Sequence, residues 1–173
     1  MFADLNYSNI YCTDLNKMCT NKLNSSDYNN IKFQQTDALN INFPNLSFDV
    51  VCCKSLLGGI AKNDPNKIKI VNKEIHRVLK KNGSFIFAEN IEGSRMHKII
   101  RKHYKTSGWY YPRLKDFIDT LDIFSKITYH TTGFLTILTR NEIIKSKLSL
   151  IDDLIKNIVP EKSKYLIYGI AEK

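Results

Sequence analysis

The chain has little with which to bind a metal, staple itself covalently or enter a membrane. Its four cysteines, Cys12, Cys19, Cys52 and Cys53, include no Cys-x-x-Cys pair, and no histidine stands at metal-ligand spacing beside them. That excludes a cysteine-built zinc site and predicts small buried hydrophobes in a reducing compartment. Cys52 and Cys53 are adjacent in a strand-like run, so their side chains are expected on opposite faces. No apolar run approaches the ~20 residues of a membrane span. Met1-Phe2-Ala3-Asp4-Leu5-Asn6 has neither the basic nor the apolar region of a signal peptide, which predicts a cytoplasmic protein. Glycine is sparse, with seven in all, and no Gly-x-Gly element stands ahead of the first strand-like run. Acid is short too: 17 acidic residues face 26 basic ones, a net charge of +9. A charge of that size permits a nucleic-acid, anionic-lipid or phosphorylated partner. The lysines are nevertheless spread along the whole chain among asparagines and isoleucines, a general bias and not a patch. Internal repeats and low-complexity linkers are missing as well.

What the chain does have is enough apolar surface for a core. Apolar residues make up 43% and aromatics 11% of the 173 residues, which suits one globular domain over 1–173 and speaks against disorder. Strand-like runs occur at Asn9-Ile10-Tyr11-Cys12-Thr13, ending on Asp14, and at Ile31-Lys32-Phe33-Gln34-Gln35-Thr36, ending on Asp37. Two more follow at Phe48-Asp49-Val50-Val51-Cys52-Cys53 and Ser84-Phe85-Ile86-Phe87-Ala88. The four apolar residues after Asp49 predict a strand buried on both faces. Helical patterns lie between: a short one over 17–23 and a longer one over 65–81. The second has Asp64 as N-cap, Pro65 at its first position, Gly83 beyond its end and an apolar stripe of Ile68, Val71, Ile75, Val78 and Leu79. Turning on Gly83 into a strand, it forms the second half of a βαβ unit.

Further helices are predicted over 94–104, 112–121 and 141–159. The first places Arg95, Lys98, Lys102 and Lys105 on one face and Met96, Ile99 and Ile100 on the other. The last places Ile144, Leu148, Ile151, Ile155 and Ile158 on one side and stops at Pro160. Strand signals return over 125–132, and a final strand over 165–171 closes the chain.

In an open parallel α/β sheet, ligands bind beyond the carboxyl ends of the strands, where Asp14 and Asp37 both stand. A carboxylate after one strand can accept from both ribose hydroxyls of an adenosine, and one after the next strand from the adenine amino group. Singly, such an aspartate is more often a cap or turn residue. Two in register, followed by Phe48-Asp49-Val50-Val51 and Leu79-Lys80-Lys81-Asn82-Gly83, make a more specific pattern.

On these motifs the chain resembles the class I S-adenosylmethionine-dependent methyltransferases, especially the type 11-like group that methylates small molecules, from Asn9 onward. The resemblance implies a Rossmann-like α/β sheet, mostly parallel, with an antiparallel C-terminal strand pair and the first strand missing. It implies S-adenosylmethionine as cofactor, held by Asp14, Leu15, Asp37 and Ala38, with Lys54, Ser55 and Leu56 beneath it. Arg77-Val78-Leu79-Lys80-Lys81-Asn82-Gly83 matches the family's helix end before its fifth strand. Thr132-Gly133-Phe134-Leu135 and Tyr168-Gly169-Ile170-Ala171 match its closing antiparallel pair. Two departures stand out. The Gly-x-Gly loop, which lets backbone approach the methionine end of the cofactor, does not precede Asp14, so impaired cofactor binding and an N-terminally incomplete domain are expected. Gly58-Gly59 stands near the place of a histidine common after the family's fourth strand. In the family's sheet the missing strand lies at the centre, between the strand ending at Asp14 and the one beginning at Phe48.

Methyl transfer from a sulfonium is mainly a matter of positioning the nucleophile in line, so no catalytic residue is singled out. Substrate-side candidates are Glu89, Asn90, Glu92, Arg95 and His97, each also readable as a loop or helix residue. Trp109-Tyr110-Tyr111-Pro112 reads as a lid or as a packing anchor, and His76 as structural. The leading reading is methyl transfer to a small-molecule acceptor: a sugar, a lipid head group or a metabolite. The second is a non-catalytic relic or partner-dependent subunit of the same fold. A basic nucleic-acid-binding module over 95–105 ranks last, because Tyr104 alone supplies a stacking ring among those cations.

Overall fold

The computed structural model describes residues 9–16, 31–104 and 108–173. The helix expected over 17–23, Cys19 and Lys105 lie outside them. The chain divides into two compact units, Met1–Pro44 and Asn45–Lys173.

In the first unit, β1 (Ile10–Asp14) and β2 (Ile31–Gln35) pair in parallel, with Asp14 opposite Gln35. The Tyr11 ring meets Phe43 edge-on at 5.0 Å. Thr36 N donates to Asp14 O at 3.0 Å, and Asp37 forms an antiparallel bridge with Asn40.

The second unit holds a four-stranded sheet in the order β3-β4-β6-β5. β3 (Phe48–Lys54) is parallel to β4 (Leu79–Asn90), while β6 (Leu166–Glu172) runs antiparallel to β4 and to β5 (Lys126–Thr132). The helices are α1 (Leu57–Ile60), α2 (Lys67–Val78), α3 (Arg95–His103), α4 (Leu114–Asp119) and α5 (Glu142–Ile155). The expected α/β class and the closing antiparallel pair are both present. Among the described residues β1 pairs only with β2, and β3 pairs only with β4.

The core of the second unit follows from period-two alternation along β4. Phe85, Phe87 and Glu89 point to one face and are buried, against half-buried Ile86, Ala88 and Asn90 on the other. Phe85 stacks with Phe124 at 5.8 Å, and Phe87 meets Phe117 at 5.5 Å. The predicted α2 stripe of Ile68, Val71, Ile75 and Val78 is buried. His76 sits on this helix with its ring edge-on to Phe124 at 5.4 Å, in the structural role expected of it.

Several sequence expectations need correction. α2 begins at Lys67, not Pro65, because Asp64 Oδ1 accepts from Asn66 N at 3.0 Å in a turn ahead of the helix. It ends at Val78 because Leu79 is already extended and pairs with Phe48. Residues 80–83 then bulge out of β4: the pairing jumps from Phe48↔Leu79 to Val50↔Ser84, with Asn82 at φ 63°. Gly83 suits that bulge, since a Cβ there would lie 2.9 Å from Lys80 O and 3.1 Å from Asp49 O. β3 is not buried on both faces. Among the described residues it pairs with β4 alone, and Val50 and Cys52 are exposed. Of the described cysteines, Cys12 and Cys52 are exposed and only Cys53 is partly covered, so the expected burial fails. Cys52 and Cys53 do face opposite ways, as the pleat requires. On α3, Ile99 stands with the basic residues, not opposite them. The apolar side predicted for α5 is largely uncovered: Asp152 is the helix's buried residue, and Ile144 and Ile151 are exposed.

Candidate active site

The carboxyl ends of two parallel strand pairs carry the predicted site residues. In the first unit Asp14 ends β1, and Asp37 lies two residues past Gln35, the partner of Asp14. Both aspartates are exposed. Each uses one oxygen on its own turn: Asp14 Oδ1 accepts from Asn16 N at 2.6 Å, and Asp37 Oδ1 from Leu39 N at 2.9 Å. These bonds tether the carboxylates at the strand ends. Leu15 is exposed, and its carbonyl accepts from Gln35 Nε2 at 2.9 Å. Ala38 is half-buried.

In the second unit the chain leaves β3 through exposed Lys54 and turns at Ser55, which adopts φ 50°. Ser55 N donates to Ala88 O at 2.8 Å, so the turn folds over the end of β4. Asn90 Nδ2 donates to Ser55 Oγ at 3.2 Å. Glu89, 1% exposed, anchors the same turn: its Oε1 accepts from Leu56 N at 2.7 Å and Leu57 N at 3.0 Å. Burial pushes the Glu89 carboxyl up from its ordinary 4.5, while the backbone N–H groups of Leu57, Leu56 and Gly58 oppose that shift. Glu89 Oε2 is buried without a hydrogen-bond partner among the described residues, as is Trp109 Nε1. The Cys53 thiol, which donates to Glu89 Oε1 at 3.8 Å, is pushed well up by burial and by that carboxylate, so it is no ready nucleophile.

Trp109 packs on Gly58 and Gly59. A Cβ on Gly58 would overlap the indole, and one on Gly59 would lie 3.1 Å from Cη2. Tyr110 N donates to Gly58 O at 2.9 Å, and the Arg101 guanidinium lies 3.7 Å over the Tyr111 ring. Of the two expectations for residues 109–112, the packing anchor is the one these contacts support.

The structure thus joins Ser55, Leu56, Glu89 and Asn90 in one network. It does not bring His97 into that network, contrary to the sequence expectation. His97 is fully buried; its Nδ1 accepts from Ser94 N at 2.8 Å and its Nε2 donates to Phe134 O at 2.9 Å. Nδ1 thus caps the start of α3 and Nε2 holds the helix to the loop after β5, and burial lowers the imidazole's affinity for a second proton. Arg95 is exposed on the first turn of α3. Glu92 pairs with Lys98 at 2.6 Å and with Arg113 at 3.9 Å. Among the described residues no cluster of three potential metal ligands occurs.

Residues 1–87, half of the chain, match the family model described as a methyltransferase domain. The chain belongs to the class I S-adenosylmethionine-dependent methyltransferase family. Solved structures agree on the fold. A Methanosarcina mazei S-adenosylmethionine-dependent methyltransferase superposes with TM-score 0.65 at 15% identity, covering 99% of this chain and 84% of that one. A Thermotoga maritima S-adenosylmethionine-dependent methyltransferase, described as a possible histamine N-methyltransferase, gives 0.65 at 16% identity over 93% and 72%. Phosphoethanolamine N-methyltransferase 2 of Haemonchus contortus, solved with S-adenosyl-L-methionine, gives 0.64 at 14% over 95% of this chain and 43% of that one. No curated protein sequence matches the chain.

For this methyltransferase domain, sequence reasoning missed the anchoring part played by Glu89 and the seat of Trp109. The first was readable: Phe85, Phe87 and Glu89 alternate, so a strand that buries the phenylalanines buries the glutamate with them. The second was not, because Gly58-Gly59 and Trp109 are about fifty positions apart with no shared period.

Proposed function

We propose that the chain binds S-adenosylmethionine and transfers its methyl group to a small-molecule acceptor. The observation that carries this reading is the pair of exposed aspartates, Asp14 and Asp37, at the carboxyl ends of adjacent parallel strands. They fit an adenosine. Each exposed carboxylate is tethered by one turn hydrogen bond through Oδ1; Asp14 would accept from the ribose hydroxyls and Asp37 from the adenine amino group. Leu15 supplies apolar contact beside the first, and Ala38 a short side chain beside the second. In the second unit Ser55 and Leu56, past exposed Lys54, stand in a turn held by Asn90 and Glu89. When bound, the cofactor supplies an electrophilic methyl on a sulfonium. The chain's own part is to hold the acceptor in line with it and, for a protonated nucleophile, to provide an acceptor for the proton. Glu89 and Asn90 are the substrate-side residues this reading retains.

The names of two structural relatives point to amines, phosphoethanolamine and histamine, and acceptors of that size are the first to try. The test is transfer of isotopically labelled methyl from S-adenosylmethionine to a panel of small amines and alcohols, with RNA and protein as controls. Label appearing in a small product supports the reading, and label only in RNA or protein overturns the acceptor class.

A further inference from the structure

We propose that the surface built by α3, the 3-10 turn Thr136–Leu138 and α5 docks on an anionic lipid surface. The inner side of α5 is the row Leu148, Asp152 and Ile155, of which only Asp152 is buried. A second apolar row faces water: Ile143, Leu150 and Leu154, at i, i+7 and i+11, are 72%, 66% and 81% exposed, and Ile158 just past the helix is 81% exposed. Four such side chains in one stripe mark an interaction site. Lys147 stands within the stripe.

α3 repeats the pattern independently. Ile99 is 70% exposed, and Arg95, Lys98 and Lys102 are exposed around it. Both helices pack on the turn Thr136–Leu138, where Leu138 is exposed. Tyr104 OH donates to Leu138 O at 3.2 Å, and Arg140 lies 4.5 Å over the Tyr104 ring. The acids nearby are engaged: Glu92 with Lys98, Glu142 with Lys145 and Asp153 with Lys156.

Charge selects the occupant. A second copy would bring a net +9 against a net +9. A nucleic acid matches the charge but has no use for exposed aliphatic side chains, because bases stack on rings. An anionic bilayer suits both features. Its acyl boundary takes Ile99, Leu150 and Leu154, and its head groups take Arg95, Lys102 and Lys147. Docking of this kind makes no use of the strand-end residues, so it stands or falls separately from methyl transfer.

The experiment is co-sedimentation of the full chain with vesicles of phosphatidylcholine alone and of phosphatidylcholine and phosphatidylserine in equal parts. The chain is expected to sediment with the mixed vesicles only, and less so as salt rises. The doubly substituted Leu150→Ser, Leu154→Ser protein should lose at least about tenfold in partitioning. Lys102→Glu and Lys147→Glu should each lose about fivefold. All four positions are exposed, so the fold is retained. Failure to sediment with mixed vesicles overturns the proposal, as does sedimentation that ignores the leucine substitutions. Tight binding to duplex RNA with no vesicle binding, or a dimer that the leucine substitutions dissociate, overturns it in favour of another occupant.

Discussion

Glu89 shows how one buried side chain can hold a whole turn. Removing it in Glu89→Ala leaves Leu56 N–H and Leu57 N–H without their acceptor, at about 1–3 kcal/mol for each buried donor. Urea unfolding should therefore show a loss of about 2–4 kcal/mol. Glu89→Gln keeps the accepting oxygen and should stay within about 1 kcal/mol of the parent. The two also separate by pH. Burial raises the folded carboxyl above 4.5, so its contribution is fully present below the unfolded value and is lost as pH rises through the folded one. Urea midpoints measured from about pH 4 to 8 should show that decline in the parent and not in Glu89→Gln. At this scale the sequence was legible where one residue's surroundings are local. The turn bonds of Asp14 and Asp37 come from the two residues that follow each. It was illegible for His97, whose second partner, Phe134 O, is supplied by a distant loop. It was illegible for Cys52 too, because exposure depends on what neighbours β3.

At the scale of elements, alternation and helical period located the strands and most helices, since both reflect backbone geometry alone. They did not say which side of an element is covered. α5 is the clearest case: its isoleucines and leucines mark a helix, yet the side that meets the core carries Asp152. Asp152 Oδ1 accepts from Leu135 N at 2.8 Å; its Oδ2 accepts from Phe134 N at 2.9 Å and from Thr136 N at 3.2 Å. It thereby ties α5 to the loop after β5. Asp152→Ala should cost about 3 kcal/mol by the loss of those acceptors, and hydrogen exchange should show faster exchange of the 134–136 amides. The Gly58–Trp109 contact offers a second test. Gly58→Ala forces the indole out, at about 1–3 kcal/mol. Because Trp109 is the single tryptophan, its fluorescence should shift to the red. An unshifted spectrum would contradict the packing.

At the scale of the whole molecule, the order of strands and helices was readable because each βα step leaves its own turn and cap signals. The pairing was not readable from turns and caps: that β1 and β2 form one sheet, and that β3, β4, β6 and β5 form another, depends on which strands meet. Both parallel pairs carry candidate site residues at their carboxyl ends, Asp14 and Asp37 in one and Ser55, Leu56, Glu89 and Asn90 in the other. The central claim is that Asp14 belongs to a cofactor site, whatever the acceptor. Calorimetry with S-adenosylhomocysteine tests it most directly. The account predicts measurable binding that Asp14→Ala weakens by about tenfold, the value of roughly one charge-assisted hydrogen bond, and that Glu92→Ala leaves nearly unchanged. No binding by the folded chain, or a larger loss in Glu92→Ala than in Asp14→Ala, would contradict it.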